Sequence, residues 1–505
     1  MIDFGHDLLV WSAVYVVLLL AIGAWGRKAK RERTLSDHFL AGRSIGFGVL
    51  LLTLFATQYS GNSLSGFPGQ TYREGISYFM SVTFMVGIVA GYLLFAPRLF
   101  VMARRGRYLT PTDFLAERFR SAPLNYFSAV IFSLTLCNYL LAQLMALGHA
   151  FSGLTGDQIP YWVGVVGGAL VVLIYETLGG LRAVAWTDAI QGMILFIGLL
   201  LVVFLIFFEV GSPAALLESV REQAPEKIAN PGWSTCFVWL SNFLLLALGA
   251  PLYPHAIQRI YAARKLLDLK RALAIMAFLP LFAISAVVFI GVAGIILFPD
   301  LERIASDRIS FQVLGYLVQH NRLAYYPVLV VMMAVIAAIM STVDSALLSL
   351  SSIFTKDFTA RIRGLGDREA ERLTRVAPLF SVLILITLVL IALRPFTTLW
   401  GLLVIKFEIL IQLSPAFVLG TLHDREDPRA FSTREILTGL TLGMAILVCF
   451  LAVGIRSVNG LHAGTLAVAV NYGSVFLMRK FRNVIKNGDI LILWKTSGAS
   501  GEGSN

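Results

Sequence analysis

Charge is what this 505-residue chain has least of. Charged side chains make up 14% of it, against roughly 25% in soluble globular domains. That shortage excludes a solvated multidomain protein, and a content of 57% hydrophobic residues excludes a disordered one. Cysteine is nearly absent. Cys137, Cys236 and Cys449 stand far apart in apolar sequence, so neither a disulfide framework nor a CxxC metal site is encoded. They read as small buried hydrophobes. The seven histidines are scattered without HExxH or other paired-ligand spacing. Nucleophile–base pairs, metal clusters and phosphate loops are missing too, which argues against an enzyme. Long polar connections are also lacking, so no extramembrane domain is expected.

What is present is long apolar runs. Spanning a hydrocarbon core of ~30 Å takes about 20 apolar residues in a helix. Thirteen segments meet that need, at about 8–26, 46–66, 76–99, 125–152, 159–177, 187–209, 233–254, 272–298, 325–354, 375–394, 396–422, 435–455 and 460–479. No small-residue cleavage site follows the first, so it reads as a span rather than a removed signal peptide. Lys and Arg set the orientation, because they concentrate in cytoplasmic connections. With the N-terminus outside, the inner connections hold 32 of these residues and the outer ones eight. The C-terminus is then cytoplasmic. The net charge of +11 is therefore a topology signal, and no nucleic-acid partner is expected.

Several spans depart from plain lipid helices. The second is interrupted by Ala56-Thr57-Gln58-Tyr59-Ser60-Gly61-Asn62-Ser63, then Pro68-Gly69. Backbone leaves the helix at membrane depth only where protein or a water-filled cavity satisfies it. A small-residue packing face would explain Ser60 and Gly61, but poorly explains Gln58 and Asn62. Five spans later comes Gly249-Ala250-Pro251-Leu252-Tyr253-Pro254-His255, whose prolines kink or break the helix. Interruptions at matching places in two five-span halves point to an inverted-repeat transporter with its site at the midplane.

The ninth span carries Ala338, Ser341 and Thr342. They offer a carbonyl and two hydroxyls to a hard cation if the backbone opens there; the alternative is hydroxyls bonding back to the preceding turn. Asp188 opens the sixth span, where a helix N-terminus favours an anion, after a very short loop at Gly179-Gly180-Leu181-Arg182. Lys406 and Glu408, two residues apart in the eleventh span, point to nearly opposite faces. Membrane-embedded ionisable groups are functional candidates, and an interhelical ion pair is the structural alternative.

Taken together, these residues resemble the sodium/solute symporter family, which includes sodium-coupled pantothenate, proline, monocarboxylate and sugar transporters. The most specific match is Gly179-Gly180-Leu181-Arg182-Ala183-Val184-Ala185-Trp186-Thr187-Asp188-x-x-Gln191. Asp37-His38-Phe39-Leu40-Ala41-Gly42-Arg43, Gln258-Arg259-x-x-Ala262-Ala263 and Met340-Ser341-Thr342 support it. The resemblance implies an all-α polytopic membrane protein with a leucine-transporter-like 5+5 inverted repeat, one extra helix before it and two after. The expected divisions are 1–45, the first span and a cytoplasmic loop; 46–209 and 233–422, the two repeats; 423–479, two peripheral spans; and 480–505, a cytoplasmic tail.

By the same resemblance, sodium would be held by Ala56, Tyr59, Ala338, Ser341 and Thr342, with Asp188 near its inward exit. Na+ is the coupling ion, and no cofactor is implied. Gln58 stands where proline transporters of the family have an Asp, so that Asp's role does not carry over. Substrate candidates are Gln58, Ser60, Asn62, Tyr253, His255, Lys406 and Glu408. Lys406 and His255 point to a small organic anion such as a monocarboxylate or pantothenate; Glu408 would equally suit a zwitterion such as an amino acid. Proton coupling through Asp344 is a further alternative, as is a membrane sensor module of the same fold. Such sensors continue into kinase domains, whereas here the sequence runs into Lys480–Lys495 and a Ser497–Asn505 tail. The expected location is a bacterial-type plasma (inner) membrane.

Overall fold

The computed structural model describes residues 4–28, 35–360 and 377–486. The chain is a helical bundle. Its principal helices are α1 (Phe4–Lys28), α2 (Phe47–Gln58), α3 (Phe67–Glu74), α4 (Ser81–Gly106), α5 (Ala122–Leu154), α6 (Tyr161–Val210), α7 (Trp233–Gly249), α8 (Pro254–Ala262), α9 (Leu266–Met276) and α10 (Leu279–Leu297). They continue as α11 (Tyr325–Ile353), α12 (Ala377–Ala392), α13 (Leu399–Leu410), α14 (Ser414–Gly420), α15 (Thr433–Val453) and α16 (Ala463–Lys486). A short hairpin, Ser457–Val458 paired with Leu461–His462, joins the last two.

Among the described residues, eight helices are long and apolar enough to cross a membrane. Shorter apolar helices cover the expected first, second, fifth and tenth spans. The thirteenth expected span, α16, is helical but is not among these, because its second half carries Arg479, Lys480 and Arg482. Large apolar side chains such as Val17, Leu94, Phe204, Phe208 and Leu390 face outward, where only lipid contact makes their exposure favourable. The buried side chains form one near-continuous core.

The expected loop at 179–182 is absent from the backbone, since α6 runs helically from 161 to 210. Yet Gly164 lies against Leu147 of α5, Gly192 lies against Leu52 and Ala56 of α2, and Ala146 touches Gly61. A straight helix would hold Gly164 and Gly192 about 42 Å apart, further than these contacts allow. The run is therefore bent between them rather than straight. The side chains of 174–180 lie outside the described residues, as do residues 361–376 and the tail beyond 486.

Basic connections gather at one end of the bundle. Arg43 donates to the carbonyls of Ala103 and Tyr108 at 2.8 and 2.9 Å. Arg104 donates to those of Arg43, Ala263 and Arg264, and Lys356 pairs with Asp113 at 2.6 Å. Cationic side chains on the exposed carbonyls of helix ends satisfy groups that have no intrahelical partner.

Candidate functional site

Both interruptions anticipated from the sequence are present. α2 stops because Tyr59 takes an extended conformation (φ −105°, ψ 109°), and the chain resumes as a π-helical turn, Asn62–Gly66, before α3. The Ser60 N–H is taken by Ser63 Oγ at 3.4 Å and the Gly61 N–H by Gln143 Oε1 at 3.0 Å. Across the break, the carbonyls of Ala56 and Tyr59 accept no hydrogen bond among the described residues. Only glycine fits at 61: a Cβ would stand 2.7 Å from Ala146 and 2.8 Å from Ile339. In the second repeat, α7 gives way to a 3-10 turn, Ala250–Leu252. Tyr253 is non-helical there, and Pro254 opens α8, the position where a missing N–H costs least.

Between the breaks lies a cavity of about 30 Å³, room for a water or two. Gln58, Ser60, Asn62 and Ser63 line it from the first break, Tyr139 from α5, Tyr253 from the second break, and Lys406 from α13. Gln58 Oε1 and both amide atoms of Asn62 have no hydrogen-bond partner among the described residues. Buried polar atoms are normally paired, and these face the cavity with hydrogen-bonding capacity to offer. The Lys406 ammonium sits 3.8 Å over the Tyr139 ring and 5.0 Å from that of Tyr253, a cation–π cage. No Asp or Glu is among the described lining residues. His255 stacks on both tyrosines, with ring centroids 5.6 and 4.9 Å away, behind the lining rather than in it.

Glu408 is not part of this cavity. It points the other way, accepting the Gly464 N–H at 3.1 Å, and with Arg456 and His462 lines a wider vestibule of about 460 Å³. Edge-to-face contacts of Trp400 with Phe67 and Tyr78, at 5.4 and 5.5 Å, stand between vestibule and cavity. Lys406 and Glu408 thus face opposite sides, as their spacing requires, and are not paired.

α11 is continuous through Ala338, and the backbone opening considered from the sequence is not there. Ser341 and Thr342 donate to the Ala338 carbonyl at 3.0 and 2.9 Å, the back-bonded arrangement. Tyr139, which sequence reasoning missed, brings the two elements together. Its hydroxyl is 3.5 Å from the Thr57 carbonyl and close enough to Ser60 and Thr342 to interact electrostatically with both.

Asp188 departs from expectation. It does not cap a helix N-terminus, since helical backbone continues before it. Instead it is fully buried and paired with equally buried Arg259 at 2.5 Å. Thr53 donates to the same carboxylate oxygen at 2.6 Å. Arg259 also donates to Thr53 Oγ1 at 2.7 Å, Ser345 Oγ at 2.7 Å and the His255 carbonyl at 2.9 Å. One guanidinium therefore ties α2, α6, α8 and α11 together. Asp344 is buried in α11 near Tyr15 of α1, away from the cavity lining.

Residues 38–427 match the sodium:solute symporter family. The high-affinity proline transporter PutP of Bacillus subtilis (strain 168) is 30% identical over 359 residues, covering 69% of this chain and 74% of that protein. The sodium/proline symporter of Staphylococcus aureus (strain JH9) is 28% identical over 72% of this chain and 70% of its own length. Among solved structures, a Na+-coupled sialic acid symporter superposes with a TM-score of 0.71 at 20% identity, covering 94% of this chain and 98% of that one. MhsT in complex with L-phenylalanine gives 0.55 at 14% identity, over 85% and 98%. These likenesses establish the leucine-transporter-like fold expected from the two broken helices. The chain belongs to the sodium:solute symporter family and is a multi-pass membrane transporter, not an enzyme.

Proposed function

We propose that the chain imports a small organic anion, such as a monocarboxylate or pantothenate, together with Na+ by alternating access. The observation that carries this reading is Lys406: a buried cation faces the cavity, and no carboxylate is among the described lining residues. A solute carboxylate there would gain a charge-assisted hydrogen bond. An ammonium group would meet a like charge and no acidic partner. The Gln58 and Asn62 amides supply neutral hydrogen bonds for the rest of the solute.

Sodium, in this reading, takes the free carbonyls of Ala56 and Tyr59, that of Ala338, and the hydroxyls of Ser341 and Thr342. Binding requires those hydroxyls to turn from the Ala338 carbonyl toward the break, a rotation about one side-chain bond. The break and α11 are already joined through Tyr139. One charge crossing ~100 mV releases ~2.3 kcal/mol, roughly a 40-fold concentration ratio. A monoanion moving with one Na+ forgoes that electrical drive, so more than one cation or a steep sodium gradient must supply the work. The basic end of the bundle is cytoplasmic in this proposal and the vestibule faces outward, with the N-terminus outside, in a bacterial-type plasma membrane.

A second reading, an amino-acid symporter, is favoured by the proline transporters among the relatives. Uptake into proteoliposomes separates the two, with radiolabelled pyruvate, pantothenate and proline supplied under an inward NaCl gradient or with choline chloride. Sodium-driven uptake of a carboxylate but not proline is expected. Sodium-driven uptake of proline alone would overturn the anion reading, and sodium-independent uptake driven by a proton gradient would overturn the coupling.

A further inference from the structure

Two lipid-facing helices enclose a hollow that shares no described lining residue with the cavity between the breaks. It holds about 410 Å³, more than ten times the ~30 Å³ that a water takes up in the liquid. A chain of ten or so methylene-sized groups therefore fits. Phe196, Leu200 and Phe204 of α6 form one wall, and Leu281, Phe282 and Ala286 of α10 the other. Among the described lining residues the one polar side chain is Ser285, whose hydroxyl already donates to the Leu281 carbonyl. With no charge and no spare donor in that lining, the occupant it suits is an alkyl chain. The hollow is continuous with the lipid-facing surface, since Phe204 and Phe282 line it and are 64% and 60% exposed.

α9 and α10 form one helical run, because Ala277 (φ −67°, ψ −25°) and Phe278 (φ −95°, ψ −25°) keep helical backbone between them. The run, Leu266–Leu297, has 32 residues and is ~48 Å long, against a hydrocarbon core of ~30 Å. α10, 19 residues without a charge, fills that core. The turns of α9 therefore stand at headgroup depth, at the basic end of the bundle. Lys270 and Arg271 are exposed there. Eleven residues make about three helical turns, so Lys270 shares a face with Leu281, and Arg271 with Phe282. A lipid on that face meets cations at its head and the hollow at its tail. The neighbouring carboxylate, Asp268, is paired with Arg264 at 3.3 Å.

We propose that the hollow holds one acyl chain of an anionic phospholipid from the leaflet at the basic end, its phosphate held by Lys270 and Arg271. The chain braces the first break from behind. Phe196 meets Phe55 edge-on, with ring centroids 6.2 Å apart, and Phe55 lies 4.7 Å from Tyr59, whose extended backbone ends α2.

The test needs no solute. It is native mass spectrometry of the purified full chain in detergent with dioleoyl phosphatidylglycerol or dioleoyl phosphatidylcholine, run beside a thermal melt. The parent should retain one phosphatidylglycerol per chain, roughly thirtyfold more tightly than phosphatidylcholine, because two basic residues face its headgroup. Its melting temperature should rise with that lipid, as a ligand of the folded state requires. Changing Lys270→Gln and Arg271→Gln together should bring the two lipids level. Ser285→Phe fills the hollow and should abolish retention of both lipids and the rise in melting temperature. Leu200→Trp fills it from the opposite wall, and serves if the Phe variant does not fold. Equal retention of the two lipids by the parent, or undiminished retention by a filled variant, would overturn the proposal, the bound lipid then being an unselective annulus.

Discussion

Replacing Lys406 should separate stability from solute affinity. Its ammonium is buried to 1% exposure and held by aromatic faces. Each face returns up to about 2 kcal/mol when desolvated, whereas burying an ion without an opposite charge costs several kcal/mol. The folded protein thus carries a net cost at this position, as sites built for ligands do. Lys406→Met removes the ion and keeps the volume. It should therefore leave the melting temperature unchanged or raise it. A carboxylate bound to Lys406 loses a charged hydrogen bond of ~1.5–3 kcal/mol, roughly 10- to 150-fold in affinity. The assay is inhibition of radiolabelled uptake by a series of carboxylates, run beside a thermal melt of the same preparation. A variant that melts well below the parent yet retains its carboxylate affinity would refute the reasoning, because Lys406 would then be a structural cation.

Two further outcomes follow from the geometry. Gly61→Ala places a methyl within 3 Å of Ala146, Ile339 and Gln143, overpacking worth ~1–3 kcal/mol. It should lower the melting temperature and raise the sodium requirement together; a rise in stability would contradict the close approach. Asp307, in the connection between α10 and α11, pairs with Arg73 at 3.1 Å and accepts the Leu399 N–H at 2.6 Å. Burial outweighs these partners and pushes its carboxyl up to about 6 from 3.8. The folded state then binds more protons, so the contribution to stability is full below about pH 4 and lost as pH rises through about 6. Asp307→Asn should flatten the pH dependence of the melt in that window, and an unchanged slope would contradict the assignment.

The breaks at 58–62 and 249–254 were legible because Gly, Pro, Ser and Asn interrupt apolar runs where a helix has no other reason to stop. The opposed faces of Lys406 and Glu408 followed from a spacing of two. The Asp188–Arg259 pair was not legible: its members are 71 residues apart, and each local pattern had a simpler reading, Asp188 as a helix-start acid. Tyr139 gave no signal either, being one aromatic residue in an apolar helix whose role comes from Thr57, 82 residues earlier. The state of Ser341 and Thr342 was open because back-bonding and ion binding use the same residues at the same spacing. Local punctuation survives in sequence, whereas contacts made by folding distant segments together do not.

The central claim is that Na+ and a carboxylate bind together between the broken helices. Thermal stabilisation of the full chain by pyruvate, pantothenate and proline, in NaCl and in choline chloride, tests it most directly, since two ligands that favour each other do so reciprocally. The account predicts that a carboxylate raises the melting temperature in sodium, does so weakly or not at all in choline, and loses the effect in Lys406→Met. Stabilisation by proline alone, or by a carboxylate equally in both salts, would contradict it.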